Sequence, residues 1–446
     1  LRQRSRLDPW LAVLLAVFCL LAGTWAFVVP APVGADAAPW GNFNPDEATH
    51  LATVRYMARH GLRFPPYNLE YLTSHHPPLY YTLGAAVHAA VEPWGGEHGA
   101  VLALRLMSVL MGAGTVALVY AGVRSLTASR AVARLAAAVA ALVPMFVAMS
   151  AAVNNDCLAA LTATAALAAC ADGLRRGFTP RRTLLLSLLV AANVGTKVTG
   201  LGLIPASLLA LWWDARRRGL PARAALVRCA APLAVTAVLT GWWFVRNTVV
   251  YGDPLRQKMH EVLMGTLQPG YAHLAARGAT TAPRYAWFVT TFGWRSFWGV
   301  FDSQSRLFPV PLYVLLALLQ AATATAFAAR LLRRLRRPRG RLWPAAVAVI
   351  TLFCVLSAVI FYRFNWAHLT PQGRYYFTLL LPFGLVTAAG WRALFPRRLR
   401  DAAGALLVAV LLLLNLWVLR EMAPWGGRRA IMSTAPAAPS TAGARS

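Results

Sequence analysis

Residues 41–81 hold Asn44-Pro45-Asp46-Glu47-Ala48-Thr49-His50 and, further on, His75-His76-Pro77-Pro78-Leu79-Tyr80-Tyr81. Acids, histidines and tyrosines are gathered here between two apolar runs, residues 9–30 before and about 100–123 after. Runs of about 20 apolar residues match the width of a bilayer crossed as helix. A polar segment framed by two of them is an aqueous loop of a membrane protein, and the rest of the chain repeats the pattern.

Of the 446 residues, 58% are hydrophobic and 13% charged, too apolar and too little charged for a soluble domain. The fold class expected is an all-α polytopic membrane protein of about eleven transmembrane helices. The net charge of +29 follows from topology rather than from nucleic-acid binding. Lys197 and Lys258 are the only lysines, and the arginines gather in short loops between apolar runs, as cytoplasmic loops do. Cys19, Cys157, Cys170, Cys229 and Cys354 lie in or beside apolar runs without metal-ligand spacing, so they serve as small packing residues. Residues 9–30 read as a retained first span, because no small-x-small cleavage site directly follows them.

The arginine clusters set the topology. Arg2, Arg4 and Arg6 place the N-terminus inside. Further inside clusters are Arg124, Arg130 and Arg134; Arg175, Arg176, Arg181 and Arg182; Arg216, Arg217 and Arg218; residues 333–341; and Arg392, Arg397, Arg398 and Arg400. The segments 31–99 and 248–309 become long outer loops of a single transmembrane domain, residues 1–423. Residues 45–60 and 78–91 form interfacial helices in the first of them. Residues 424–446, rich in Pro, Ala, Ser and Thr, form a disordered outer tail. Spans are expected at 135–153 and 184–194 among the eleven, and the turn with Lys197 lies at or below the outer surface. No inverted repeat of the transporter kind is visible.

Only four of the fifteen acidic residues, Asp8, Asp172, Asp214 and Asp401, map inside. The working surface is therefore the outer one. Asp46 and Glu47 have a structural reading: Asn44 caps a helix, Pro45 takes its first position, and the acids complement its dipole. The chemical reading makes one carboxylate a general base for an acceptor hydroxyl attacking a sugar carbon. Asp156 likewise either starts a helix with Asn155 or returns to the face that carries Asp46, where the two could orient substrate or hold a divalent ion, magnesium or manganese. Lys197 is an ionisable group at a membrane-embedded turn, a site marker by default. Arg374, and Arg246 behind Trp242 and Trp243, are either interfacial anchors or forks for a lipid phosphate. His50, His75 and His76 lack the spacing of a zinc site; a histidine before Pro77-Pro78 could instead donate to a phosphate oxygen.

These residues resemble a family. Asp46-Glu47 followed by His76-Pro77-Pro78-Leu79 resembles the protein O-mannosyltransferase and aminoarabinose-transferase group of GT-C membrane glycosyltransferases. Asn155-Asp156, Lys197-Val198-Thr199-Gly200-Leu201, Arg246-Asn247 with Tyr251-Gly252-Asp253-Pro254, and Gln372-Gly373-Arg374-Tyr375 are more similar still to a bacterial family of uncharacterised membrane proteins in that superfamily. The resemblance runs through Tyr376. It implies an inverting glycosyltransferase in the bacterial cytoplasmic membrane. The donor would be a polyprenyl-phosphate-linked sugar and the acceptor a glycan, lipid or protein, with chemistry at the extracytoplasmic face. Asp46 matches the base position and Asp156 the second acidic position, with Glu47 assisting. Arg374, Lys197, His76, Tyr375 and Arg246 then bind the donor phosphate, and His50, His75 and Asn155 contact acceptor or sugar. His76 stands where the aminoarabinose transferases carry a phosphate-contacting lysine. The alternatives are a transporter or flippase for a lipid-linked glycan, which needs alternating access, and a non-catalytic scaffold, which makes Asp46→Asn silent.

Overall fold

Apolar runs of bilayer length satisfy their backbone only as helices or closed barrels. The computed structural model describes residues 8–32, 43–265, 267–336 and 342–423, and is mostly helical. In chain order the helices are α1 (Pro9–Val28), α2 (Glu47–Arg59), α3 (Leu79–Thr127), α4 (Arg130–Ala141), α5 (Pro144–Met149), α6 (Asp156–Arg176), α7 (Pro180–Val194), α8 (Leu203–Arg217), α9 (Ala222–Tyr251), α10 (Gln257–Met264), α11 (Tyr271–Ala276), α12 (Ala282–Trp298), α13 (Val310–Leu335), α14 (Leu342–Ala367), α15 (Leu380–Leu394) and α16 (Arg400–Met422). A two-residue antiparallel ladder, β1 (Val300–Phe301) with β2 (Arg306–Leu307), precedes α13.

The chain is a multi-pass membrane protein. Among the described residues nine helices are long and apolar enough to cross a membrane. They account for nine of the eleven expected crossings. The segment expected at 135–153 is divided between α4 and α5, where Pro144 opens a new helix because it has no N–H to continue the old one. The segment expected at 184–194 lies in α7, whose 15 residues span only about 22 Å at about 1.5 Å per residue. A second difference concerns residues 78–91. They are not a separate interfacial helix but the N-terminal limb of α3, which bends at Gly96 (φ 60°) just after Pro93. The expected tail 424–446 lies outside the described residues.

The core packs through small residues. The Ala-rich α4 is buried between α3 and α15, and close backbone approach is what holds helices together where lipid is as apolar as leucine. The first helix is tied down by a polar clasp: Asp8 caps α1 through Trp10 N (3.2 Å), pairs with Arg134 (2.9 Å) and accepts from Tyr120 Oη (2.8 Å). That hydrogen-bonded pairing with Arg134 holds the Asp8 carboxyl below its ordinary range.

One glycine decides where the later site residues stand. Segment Gly373–Leu379 lies so close to α12 that a Cβ on Gly373 would come within 2.1 Å of Phe297 N. Its backbone N–H donates to Ser296 Oγ at 2.6 Å. Any side chain at 373 pushes this segment off α12, and Arg374 moves with it.

Candidate active site

The structure separates the Asp46-Glu47 doublet. Helix α2 begins at Glu47, and Asp46 occupies the preceding position in the left-handed region (φ 61°) with no side-chain cap. That conformation costs a non-glycine residue roughly 1 kcal/mol. The expected helix start, with Asn44 as cap and Pro45 in the first position, is therefore corrected: α2 starts two residues later, at Glu47, and Asp46 lies outside its first turn. Its carboxylate is one-third exposed and pairs instead with the guanidinium of Arg374, which also donates to Pro45 O at 3.3 Å. Among the described residues nothing occupies the second oxygen, Oδ1.

Glu47 goes the other way. It is buried against Arg105 in a two-pronged pair (2.8 and 2.7 Å) and accepts from Asn44 Nδ2 and Val153 N, both at 2.9 Å. Both of its oxygens are satisfied, and none of these partners belongs to the Asp46 cluster. Arg105 was not singled out from the sequence, although a lone arginine inside an apolar run is the kind of signal that marks a special position.

Asp156 joins Asp46 through the same arginine. Asn155 stands at the start of α6 without a side-chain cap, and Asn154 Oδ1, one residue earlier, accepts from Cys157 N in the first turn (3.2 Å). The Asp156 carboxylate is thereby left to pair with Lys197 Nζ, and with Arg374 Nε at 3.6 Å. Lys197 is buried and lies 4.4 Å from the centre of the Tyr375 ring. Leu79 N donates to Gly195 O (2.9 Å), so the His76-Pro77-Pro78 loop and the Lys197 turn form one wall. Asn155 donates to Thr196 O (3.3 Å) and keeps its own Oδ1 buried without a partner. Asp46, Asp156, Lys197, Arg374 and Tyr375 therefore converge, and the two negative and two positive charges balance. A divalent ion placed between Asp46 and Asp156 would meet both cations, so this donor set does not fit magnesium or manganese.

The histidines extend the site sideways. Ring centres run from His50 to His76 (6.2 Å), His75 (3.8 Å), His260 (5.3 Å) and His368 (4.6 Å). Tyr81 Oη donates its single proton to Thr73 O (3.1 Å), so His50 Nδ1–H donates to Tyr81 (2.9 Å) and Nε2 keeps its lone pair. Burial pushes His50 and His260 down to about 3 and His75 to about 4. The unfolded chain takes up these protons below its ordinary 6.5 and the folded chain does not. Stability is therefore full above that pH and is lost as pH falls toward 4. The melting temperature in detergent should fall over this window and His260→Phe should flatten the fall; an unchanged slope in the variant would reject the assignment.

Beyond His75 stands a group only half anticipated. Arg256 is fully buried, donates to Asn247 Oδ1 and to Ser74 O (both 2.8 Å), and leaves Nη2 without a partner. Its guanidinium lies 4.3 Å from the Tyr251 ring centre and 4.7 Å from that of Trp243. Arg246, 5.4 Å from Trp243, has a buried Nη1 without a partner. Among the described residues no carboxylate pairs with either arginine. The Tyr251-Gly252-Asp253-Pro254 motif stops two residues before Arg256. Among the described residues only His88, Glu92 and Glu97 bring three metal-type ligand atoms within 4.8 Å of one another. Glu92 and Glu97 are already engaged by Arg59 and Arg55 (2.7 and 2.5 Å), which tie α2 to the bend of α3.

Comparison with solved structures decides the fold. The chain superposes on ArnT from Cupriavidus metallidurans, solved with undecaprenyl phosphate bound, with a TM-score of 0.54 at 16% identity over 90% of this chain and 64% of that one. It superposes on the Archaeoglobus fulgidus oligosaccharyltransferase AglB, in complex with an inhibitory peptide and a dolichol-phosphate, with a TM-score of 0.52 at 14% identity over 92% of this chain and 55% of that one. The chain has the GT-C fold. It spans between about half and two-thirds of the length of these GT-C proteins. The sequence profile described as dolichyl-phosphate-mannose-protein mannosyltransferase matches residues 75–243, less than half of the chain. No curated protein sequence matches it.

Proposed function

We propose that this GT-C chain is an inverting glycosyltransferase that moves a sugar from a polyprenyl-phosphate donor to an acceptor hydroxyl at the extracytoplasmic face of a bacterial cytoplasmic membrane. The observation that carries this reading is Asp46: a partly exposed carboxylate, held by Arg374 to the buried Asp156–Lys197 pair, with one oxygen free. Relatives of the same fold solved with undecaprenyl phosphate or dolichol-phosphate support the donor class.

In the proposed reaction the acceptor oxygen attacks the anomeric carbon on the face opposite the phosphate. Its proton passes to Asp46 Oδ1, the carbon–oxygen bond to phosphate breaks, and the electron pair leaves on polyprenyl phosphate. A lipid phosphate is a good leaving group, so the protein needs to supply a base, orientation and stabilisation of the departing charge. Arg374 and Lys197 are committed to the two aspartates, and with Tyr375 they position those carboxylates. The leaving phosphate goes to Arg256 and Arg246, whose buried N–H groups have no anion, beside His75 and His76. His50 and Asn155 face acceptor or sugar.

The test is transfer by purified protein offered a panel of polyprenyl-phosphate sugars with a membrane-glycan extract. Arg256→Gln should raise KM for the donor by about tenfold or more, the worth of a charge-assisted contact, with a smaller change in kcat. An unchanged KM would remove the phosphate from Arg256. Movement of the lipid-linked sugar across vesicles without any transfer would replace this reading by the flippase.

A further inference from the structure

A lined space lies away from the carboxylates. Helix α13 packs chiefly on α15 and α14 chiefly on α8, and between α13 and α14 runs an apolar cavity of about 530 Å³. At the arginine-rich end of the bundle it meets a smaller cavity of about 160 Å³ lined by Arg330, Arg334, Arg392 and Arg400. Phe327, Leu331 and Trp343 line both, so the two form one space, greasy along its length and basic at its end.

We propose that this space holds an anionic phospholipid, with its phosphate on Arg330, Arg334 and Arg400 and its acyl chains between α13 and α14. Charge is the first argument. Arg392 pairs with the exposed Asp401 (2.6 Å). Among the described residues no carboxylate pairs with the other three, and residues 329–345 contain no acid. Topology explains why arginines are abundant at this end of the bundle. It does not explain three helices turning guanidiniums into one cavity that opens onto an apolar groove, the arrangement that captures anionic headgroups. The second argument is Trp343. It is buried, Arg334 lies 4.5 Å from its ring centre, and its indole N–H has no hydrogen-bond partner. A buried N–H at the joint of the two cavities wants an acceptor, and a phosphate or ester oxygen supplies one.

The donor is a different lipid. Segment Gly373–Leu379 divides the two sites: Arg374 and Tyr375 face the aspartates, whereas Tyr376 and Leu379 line the cavity. No residue of the carboxylate cluster lines it. The bound phospholipid instead fills the gap beside α13, whose buried residues are only Tyr313, Leu316 and Thr323.

The experiment uses the purified full chain, delipidated, with native mass spectrometry and thermal melting. The probes are phosphatidylglycerol, phosphatidylcholine, glycerol phosphate and undecaprenyl phosphate. Phosphatidylglycerol should be retained and raise the melting temperature by about 2–4 °C, while phosphatidylcholine and glycerol phosphate do neither. Arg334→Gln should weaken retention about fivefold and Arg330→Gln/Arg334→Gln/Arg400→Gln about a hundredfold. Arg216→Gln/Arg223→Gln, which removes charge elsewhere at the same end, should leave it unchanged. Equal retention of phosphatidylcholine, equal stabilisation by glycerol phosphate, or an equal loss in the control variant would overturn the proposal. Displacement of phosphatidylglycerol by undecaprenyl phosphate would give the cavity to the donor instead.

Discussion

Replacing Asp46 by asparagine should lower sugar transfer by about a thousandfold, within the range by which a positioned general base accelerates a reaction, and leave the protein folded. The geometry makes the two halves of that expectation separable. Asparagine has the shape of aspartate, tolerates the left-handed backbone better than most residues, and keeps an oxygen for the Arg374 guanidinium. Arg374 retains Asp156 at 3.6 Å, so no cation is stranded. What disappears is the basicity of Oδ1, the oxygen proposed to take the acceptor's proton. The melting temperature should therefore stay within about 2 °C of the parent, as for a change that breaks no buried pair. Asp156→Asn is the contrasting variant. It should reduce transfer as well, but it strands the buried Lys197 and so should also lower the melting temperature. Asp46→Asn turnover within about threefold of the parent, well short of a base's contribution, would take the proton from Asp46 altogether.

The participants in this site were legible because they are polar residues in a chain that has few. Asp46, Asp156, Lys197 and Arg374 each stand at the end of an apolar run, and the arginine clusters mark the opposite ends, so the four fall on one side. Their meeting needed three dimensions. The different pairing of Asp46 and Glu47 could not be read at all, because two adjacent acids at a helix start satisfy the same pattern. It is decided by the left-handed turn at Asp46 and by Arg105, 58 residues further along. Arg256 escaped for a related reason. Its contacts with Ser74 and Asn247 follow no period, and its meaning comes from the carboxylate that is missing. The crossings were legible from hydropathy except where a proline divided one run and a short hairpin shortened another.

The largest effect on stability should come from Arg105. All five of its guanidinium N–H groups are used: two on the Glu47 carboxylate, and the others on Ala26 O (3.0 Å), Val29 O (2.6 Å) and Pro30 O (3.1 Å) at the C-terminal end of α1. One side chain thus joins α1, α2 and α3, and through Glu47 it reaches the backbone at Val153. Arg105→Met removes the cation and leaves Glu47 buried with only neutral donors, a change that typically costs about 3–5 kcal/mol. The melting temperature should fall by roughly 5–15 °C, and the yield of folded protein with it. Glu47→Gln/Arg105→Met should recover part of the loss, because no unpaired charge then remains inside. Glu47→Gln alone should destabilise the protein while transfer per folded molecule stays within about threefold of the parent, since the amide change touches nothing that faces substrate. Loss of transfer in Glu47→Gln at an unchanged melting temperature would reverse the roles of the doublet: Glu47 would be the base, and the exposed oxygen of Asp46 would be a bystander.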